Sequence, residues 1–194
     1  MSIQQRRERE RAERERLIVT AARDLAEAEG WDAVTTRRLA AEIEYSQPVL
    51  YSHFKGKGAI MAAVAVQGCA DLAVELRAAR TAAKSTREAL AAVGRAYADF
   101  ARRRPALYDA MFTLATDLPF ATSEAPAPLK EAFGELLAVV EPITADGEDK
   151  ALLTETYWAG LHGLVTLMRS GRLPKRAHEE RLALLIGHFA AGGE

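Results

Sequence analysis

The residues of this chain that could do chemistry are spaced poorly for catalysis. Its one cysteine, Cys69, lies beside Ala70 and Leu72 in an apolar stretch, where a buried, inert thiol is the default. A single thiol forms no internal disulfide and no cysteine zinc cluster. His53, His162, His178 and His188 lack metal-ligand spacing with carboxylates or with each other. No glycine-rich phosphate loop occurs, and no nucleophile elbow. We therefore expect no enzyme, no metal and no cofactor.

A different chemistry is legible between residues 36 and 57. Gln47 carries a donor and an acceptor that pair bidentately with adenine in a DNA major groove. Pro48 and Val49 suit a thymine methyl. Arg37, Lys55 and Lys57 neutralise phosphates, which supplies the salt-dependent share of affinity. The Tyr51 hydroxyl reaches a phosphate oxygen, a contact that positions without specifying. Taken singly, Thr36, Ser46 and Gln47 have plainer readings, since threonine and serine cap helices and glutamine is common on surfaces. Taken together, beside Lys55 and Lys57, they favour nucleic acid.

The elements that must position these residues are helices. Residues 7–29 read as one long helix, with Leu17, Ala21 and Leu25, flanked by Ile18 and Ala22, forming an apolar stripe. The Arg/Glu alternation ahead of Leu17 reads either as a solvated helix start or as a basic arm touching DNA. Gly30 ends the helix. A short helix follows from Thr36 to Ile43, capped by Thr35 or Thr36, with Leu39, Ala40 and Ile43 facing inward. Glu44-Tyr45-Ser46 is a tight turn. The next short helix, from about Gln47 to Phe54, has Ser46 as its cap and Pro48 in its first turn. Long, short, short, with a tight turn between the short pair, is the helix-turn-helix pattern; its second short helix enters the major groove.

Beyond Lys57 the reading stays helical: about 57–80, a helix opened by the capping box Ser85-Thr86-Arg87-Glu88, one from Pro105 to about Thr116, then about 128–143, 149–170 and 175–190. Leu90, Val93, Tyr97 and Phe100 share one face. Asp117 to Pro128, with three prolines, reads as a loop. The expected fold is all-α with about nine helices: a DNA-binding domain over 1–56 and a helical effector-binding and dimerisation domain over 57–194.

Composition agrees. Hydrophobic residues make up 49% and charged residues 27% of 194, a globular balance. The net charge of −1 divides into +1 up to Lys57 and −2 after it, an asymmetry too small to decide anything. No run of eighteen apolar residues occurs, and the N-terminus is charged, so neither a membrane span nor a secretory signal is expected. A cytoplasmic protein fits.

The tract Tyr45-Ser46-Gln47-Pro48-Val49-Leu50-Tyr51-Ser52-His53-Phe54-Lys55-Gly56-Lys57, preceded by Thr35-Thr36-Arg37-Arg38-Leu39-Ala40, resembles the N-terminal domain of the tetracycline-repressor (TetR) family over about residues 11–65. The resemblance implies phosphate and occasional base contacts from Thr36 and Arg37. It implies base reading by Gln47, Pro48 and Val49, and backbone contacts from Tyr51, His53 and Lys57. Glu44 stands where the family often has glycine, and Gly58 where it usually has an acidic residue. Tyr157-Trp158-Ala159-Gly160-Leu161-His162-Gly163-Leu164 resembles the Trp-His-Gly motif of one TetR C-terminal class, which implies ligand binding and dimerisation.

Trp158 and His162, four residues apart, share a helix face. They are either a structural core pair or a cavity wall with one polar anchor. Tyr97, Phe100, Tyr108, Met111 and Phe112 are the other lining candidates, though aromatics at helical spacing serve equally as plain core. Gly160 and Gly163 within one turn cost helix propensity, which close approach of another helix would offset. The last two helices are the expected dimer bundle. The function expected is a repressor on a palindromic operator, released by a small, mostly apolar or aromatic ligand. The alternatives are an activator or constitutive regulator without an effector, and a helical binding protein that has lost its operator.

Overall fold

The computed structural model describes residues 2–114, 118–120 and 122–191. These are helical, with no strand among them: α1 (Ile3–Glu29), α2 (Thr36–Glu42), α3 (Gln47–His53), α4 (Lys57–Ala82), α5 (Thr86–Arg103), α6 (Pro105–Phe112), α7 (Ala127–Val140), α8 (Lys150–Arg169) and α9 (His178–Ala191), with short 3-10 turns at Trp31–Ala33, Glu141–Ile143 and Lys175–Ala177. The all-α expectation holds.

The differences at element ends have local causes. The first helix starts four residues earlier than its apolar stripe suggested, because Ser2 and Gln5 form a capping box: Gln5 N–H donates to Ser2 Oγ (3.2 Å) and Ser2 N–H to Gln5 Oε1 (3.0 Å). Its core face is Ile18, Val19, Ala22, Leu25 and Ala26; Leu17 is 44% exposed, so the stripe lies about a third of a turn from where Leu17 placed it. The seventh helix stops at Val140 rather than 143, where Pro142 supplies no amide donor and a 3-10 turn takes over. Asp149 caps α8 by accepting from the N–H of Ala151 and Leu152. The sixth helix ends at Phe112; Thr116, to which it was expected to run, lies outside the described residues, as do Asp117 and Ala121 of the expected loop.

The chain divides into two compact units. The first comprises Met1–Gly68 and Arg104–Ala125. Its core is built from the α1 face together with Val34, Leu39, Leu50, Ile60, Val64, Leu107, Tyr108 and Met111. Two polar links join α6 to the end of α1. The Glu27 carboxylate accepts from the N–H of Ala106 (3.2 Å) and Leu107 (2.9 Å), capping α6, and the Trp31 indole N–H donates to the Ala106 carbonyl (2.8 Å). Gly68 meets α6 directly: a Cβ built there would lie 2.6 Å from Met111 Sδ and 2.8 Å from Leu107 Cδ1.

The second unit comprises Cys69–Arg103 and Pro126–Glu194. Leu90, Val93, Tyr97 and Phe100 are all buried, as their spacing predicts. Glu135, a buried carboxylate, accepts from Arg77 Nε (2.7 Å) and Arg80 Nε (2.9 Å). Against the opposing pull of burial, those two guanidinium hydrogen bonds hold its pKa below the usual carboxylate range. Tyr157 donates to the Leu90 carbonyl (2.7 Å). Gly160 lets α9 approach, since a Cβ there would sit 2.8 Å from Leu185 Cδ1; Gly163 faces open space. The Cys69 thiol is buried and its pKa is pushed up to about 12 by desolvation, the inert state its neighbours imply.

The fourth helix is the one described helix long and apolar enough to cross a membrane. Its apolar side chains Ile60, Val64, Leu72 and Leu76 are spent on the protein interior.

Candidate nucleic-acid interface

The first unit presents α2 and α3 as a helix-turn-helix. Thr35 Oγ1 accepts from Arg38 N–H (3.1 Å) and so caps α2. The far end of α2 closes in a Schellman motif: Tyr45 N–H donates to the Ala40 carbonyl (2.8 Å) and Glu44 N–H to that of Ala41 (3.3 Å). This turn places Glu44 at φ 57°, the left-handed region, and Glu44 is the one described non-glycine residue with positive φ. The expected glycine preference at this position therefore has a conformational basis. Leu39 and Leu50, both buried, anchor the two helices, with Val49 and Phe54 half-buried beside them.

Anchoring Leu50 turns the opposite face outward. Ser46, Gln47 and Pro48 at the start of α3 are exposed. Ser46 stands at the cap position, yet its hydroxyl makes no capping hydrogen bond. Tyr51 is 53% exposed, with its hydroxyl 3.3 Å from Thr36 Oγ1, which ties the middle of α3 to the first turn of α2. Arg37 and Lys55 are exposed as well.

Two expected contact residues are engaged inside the protein. The His53 side chain is only 6% exposed, with Nδ1 3.3 Å from Glu15 Oε1, so it braces α3 against α1. The Lys57 ammonium donates to the Trp31 carbonyl. Sequence reasoning missed the bracing ion pair Glu29–Arg38 between α1 and α2, in which Arg38 lowers the pKa of Glu29 through a bidentate contact. Nine residues separate the partners across a helix end, so no local period announces the pair.

In the second unit, Tyr97, Trp158 and His162 come together. Trp158 Nε1–H donates to Tyr97 Oη (3.0 Å), Tyr97 Oη lies 3.5 Å from His162 Nδ1, and Thr166 Oγ1 lies 3.4 Å from His162 Nε2. Tyr97 and Phe100 are fully buried; Trp158 and His162 are half-buried. Burial, then the nearby Arg169 charge, lowers the His162 pKa. Tyr108, Met111 and Phe112 belong to the first unit, where the Tyr108 and Phe112 rings meet edge to face at 5.0 Å.

Residues 18–64 match the family model of bacterial regulatory proteins of the tetR family, and residues 90–189, more than half the chain, match a tetracyclin repressor-like C-terminal domain. The chain belongs to the TetR family. Like that family, it is a DNA-binding transcriptional regulator and not an enzyme. An uncharacterised HTH-type transcriptional regulator of Mycobacterium tuberculosis is 28% identical over 180 residues, covering 91% of this chain and 80% of the relative. Among solved structures, a protein of unknown function from Rhodococcus sp. RHA1 superposes with a TM-score of 0.77 at 24% identity, covering 93% of this chain and 95% of the other. BioQ, solved with its double-stranded DNA operator, gives 0.67 at 24% identity over 91% and 98%. Both share the fold of this TetR regulator.

Proposed function

We propose that this regulator is a cytoplasmic homodimeric repressor that reads a palindromic operator with two copies of α3 and leaves it when a small, mostly apolar or aromatic molecule binds. The observation that carries the operator reading is the start of α3. Ser46, Gln47 and Pro48 are exposed on a helix whose other face is fixed by Leu50 and whose two ends are braced by the Schellman turn and by His53–Glu15. A rigid helix with outward polar groups at its N-terminal end is what major-groove reading requires. Thr36, Arg37, Tyr51 and Lys55 are the phosphate and positioning contacts of this reading, and Val49 adds an apolar contact. Lys57 joins them by exchanging the Trp31 carbonyl for a phosphate, and His53 acts by bracing.

One short helix reads only a few base pairs, so useful specificity needs two copies. The outer face of α8 and α9 supports the dimer: Leu152, Leu167 and Leu184 are exposed there, and Gly163 leaves room for a second backbone. Support for an effector comes from the Tyr97–Trp158–His162 cluster of the second unit, where aromatic rings are joined by polar contacts. BioQ was solved on an operator, which favours the same role here.

A gel shift of the purified protein on its own upstream DNA tests the reading. Retarded complex, competed by specific but not by random duplex, is expected. No shift at micromolar protein would overturn it in favour of a helical binding protein.

A further inference from the structure

No described residue packs beneath the first half of α1. Residues 3–14 are exposed throughout, yet they form a capped, regular helix of about 18 Å. At 3.6 residues per turn, Arg7, Arg11 and Arg14 fall within an arc of about 60° that also contains Ile18. Ile18 is buried, as are Ala22 and Leu25, which continue the same face. The stripe that packs inward in the second half of α1 is thus continued by three arginines in the first half. Glu8, Glu10, Glu13 and Glu15 all fall outside that arc. Arg7 and Arg14 make no ion pair among the described residues, whereas Arg11 pairs with Glu15 (3.0 Å) and Arg6 with Glu10 (3.6 Å).

The root of this arm is tied to the reading helix. Glu15 touches both Arg11 and, across 38 residues, His53 at the end of α3. The arm therefore leaves the protein at the end of α3 that also carries Lys55. From there a cationic stripe extends outward with no described residue packed below it.

We propose that the Arg7–Arg11–Arg14 face is a second DNA-binding surface that lies along the sugar-phosphate backbone of the duplex flanking the site read by α3. The proposal rests on the DNA-binding role given above. Arg7 and Arg14 are about 10 Å apart along the helix, a span of about three nucleotides at 3.4 Å per nucleotide of one strand. The contact is to phosphate and carries no sequence information. It lengthens the footprint and raises affinity for all sequences alike.

The test compares two charge-matched variants of the full chain on a random-sequence 30-base-pair duplex, by fluorescence anisotropy across a salt series. Arg7→Gln/Arg14→Gln removes two charges from the stripe; Arg9→Gln/Arg16→Gln removes two from the opposite face. All four side chains are exposed, so the fold is not at stake, and circular dichroism checks this. The first variant is expected to lower the slope of log K against log salt by about 2 per protomer, at about 0.9 per lost phosphate contact, and the second by much less. Equal losses would show a net-charge effect only and overturn the proposal. Unchanged binding by the first variant would overturn it as well. A wild-type chain that binds no duplex at all would instead overturn the DNA-binding role, and the arm with it.

Discussion

Trp31 and Ala106, 75 residues apart, are joined by a 2.8 Å hydrogen bond from the indole to the backbone carbonyl, and the carbonyl of the same Trp31 accepts from the Lys57 ammonium. Trp31 thus couples the start of α6 to the start of α4 through its two polar ends. Trp31→Phe keeps an aromatic ring but removes the donor together with the pyrrole half of the indole. The expected cost is about 1–3 kcal/mol, the range for leaving one such acceptor unpaired, read from urea unfolding. An unchanged midpoint would mean that solvent replaces the indole without loss.

Reading and positioning should separate on α3 and the loop after it. Gln47→Ala should relax preference at one operator position at a cost of about 1–3 kcal/mol there. Lys55→Ala should weaken all sequences alike and lower the salt slope by about 0.9 per protomer, with thermal stability unchanged because the side chain is exposed. Lys57→Ala should in addition lower the melting temperature, since the Trp31 carbonyl loses its donor. Operator-variant panels, salt titrations and melting curves distinguish the three, and identical profiles would refute the division of roles.

Glu44 occupies the left-handed region at φ 57°. A Cβ there costs about 1–2 kcal/mol, part of which glycine returns as chain entropy. Glu44→Gly should therefore raise stability by about 0.5–1 kcal/mol, without loss of operator affinity. A lower melting temperature would show that the Glu44 side chain contributes more than its backbone costs.

Trp158 donates to Tyr97 and lies beside His162, at a ring separation of 6.3 Å. Trp158→Ala should abolish ligand-induced release while leaving free-state operator affinity nearly intact, because a ligand shifts only the states it distinguishes. Anisotropy with and without a ligand found by thermal-shift screening measures both. Normal release, or an unfolded variant, would make Trp158 plain core.

His162 gives a pH signature. Unfolded, its imidazole protonates near the ordinary 6.5; folded, burial and then the Arg169 charge keep it neutral to lower pH. Over that interval the unfolded chain binds more protons, so stability falls as pH drops below about 6.5. His162→Asn should flatten this limb of the stability curve. A limb of unchanged slope would place the titrating group elsewhere.

The parts of the fold legible in the sequence were those with a local period or local chemistry. The α2–turn–α3 tract, the Leu90–Val93–Tyr97–Phe100 face and the Asp149 boundary were readable because each lies within one or two turns. The start of α1 was not, because alternating Arg and Glu offers no apolar stripe to begin from. Leu17 misled the placement of that stripe, since an isolated leucine on a surface is ordinary. Glu27, Trp31, Glu29–Arg38 and Glu135–Arg77–Arg80 were invisible for another reason. Their partners are brought together only by packing, at separations from 9 to 80 residues. The Gln47 end of α3 is legible from residue type, but the brace of His53 on Glu15 at the other end of the helix arises only when α1 and α3 pack.

Gly68 leaves α4 with a notch into which Leu107 and Met111 fit. A Cβ at position 68 would press on both side chains, so the missing methyl sets how closely α4 and α6 approach, and Leu107 and Met111 would have to change rotamer to admit one.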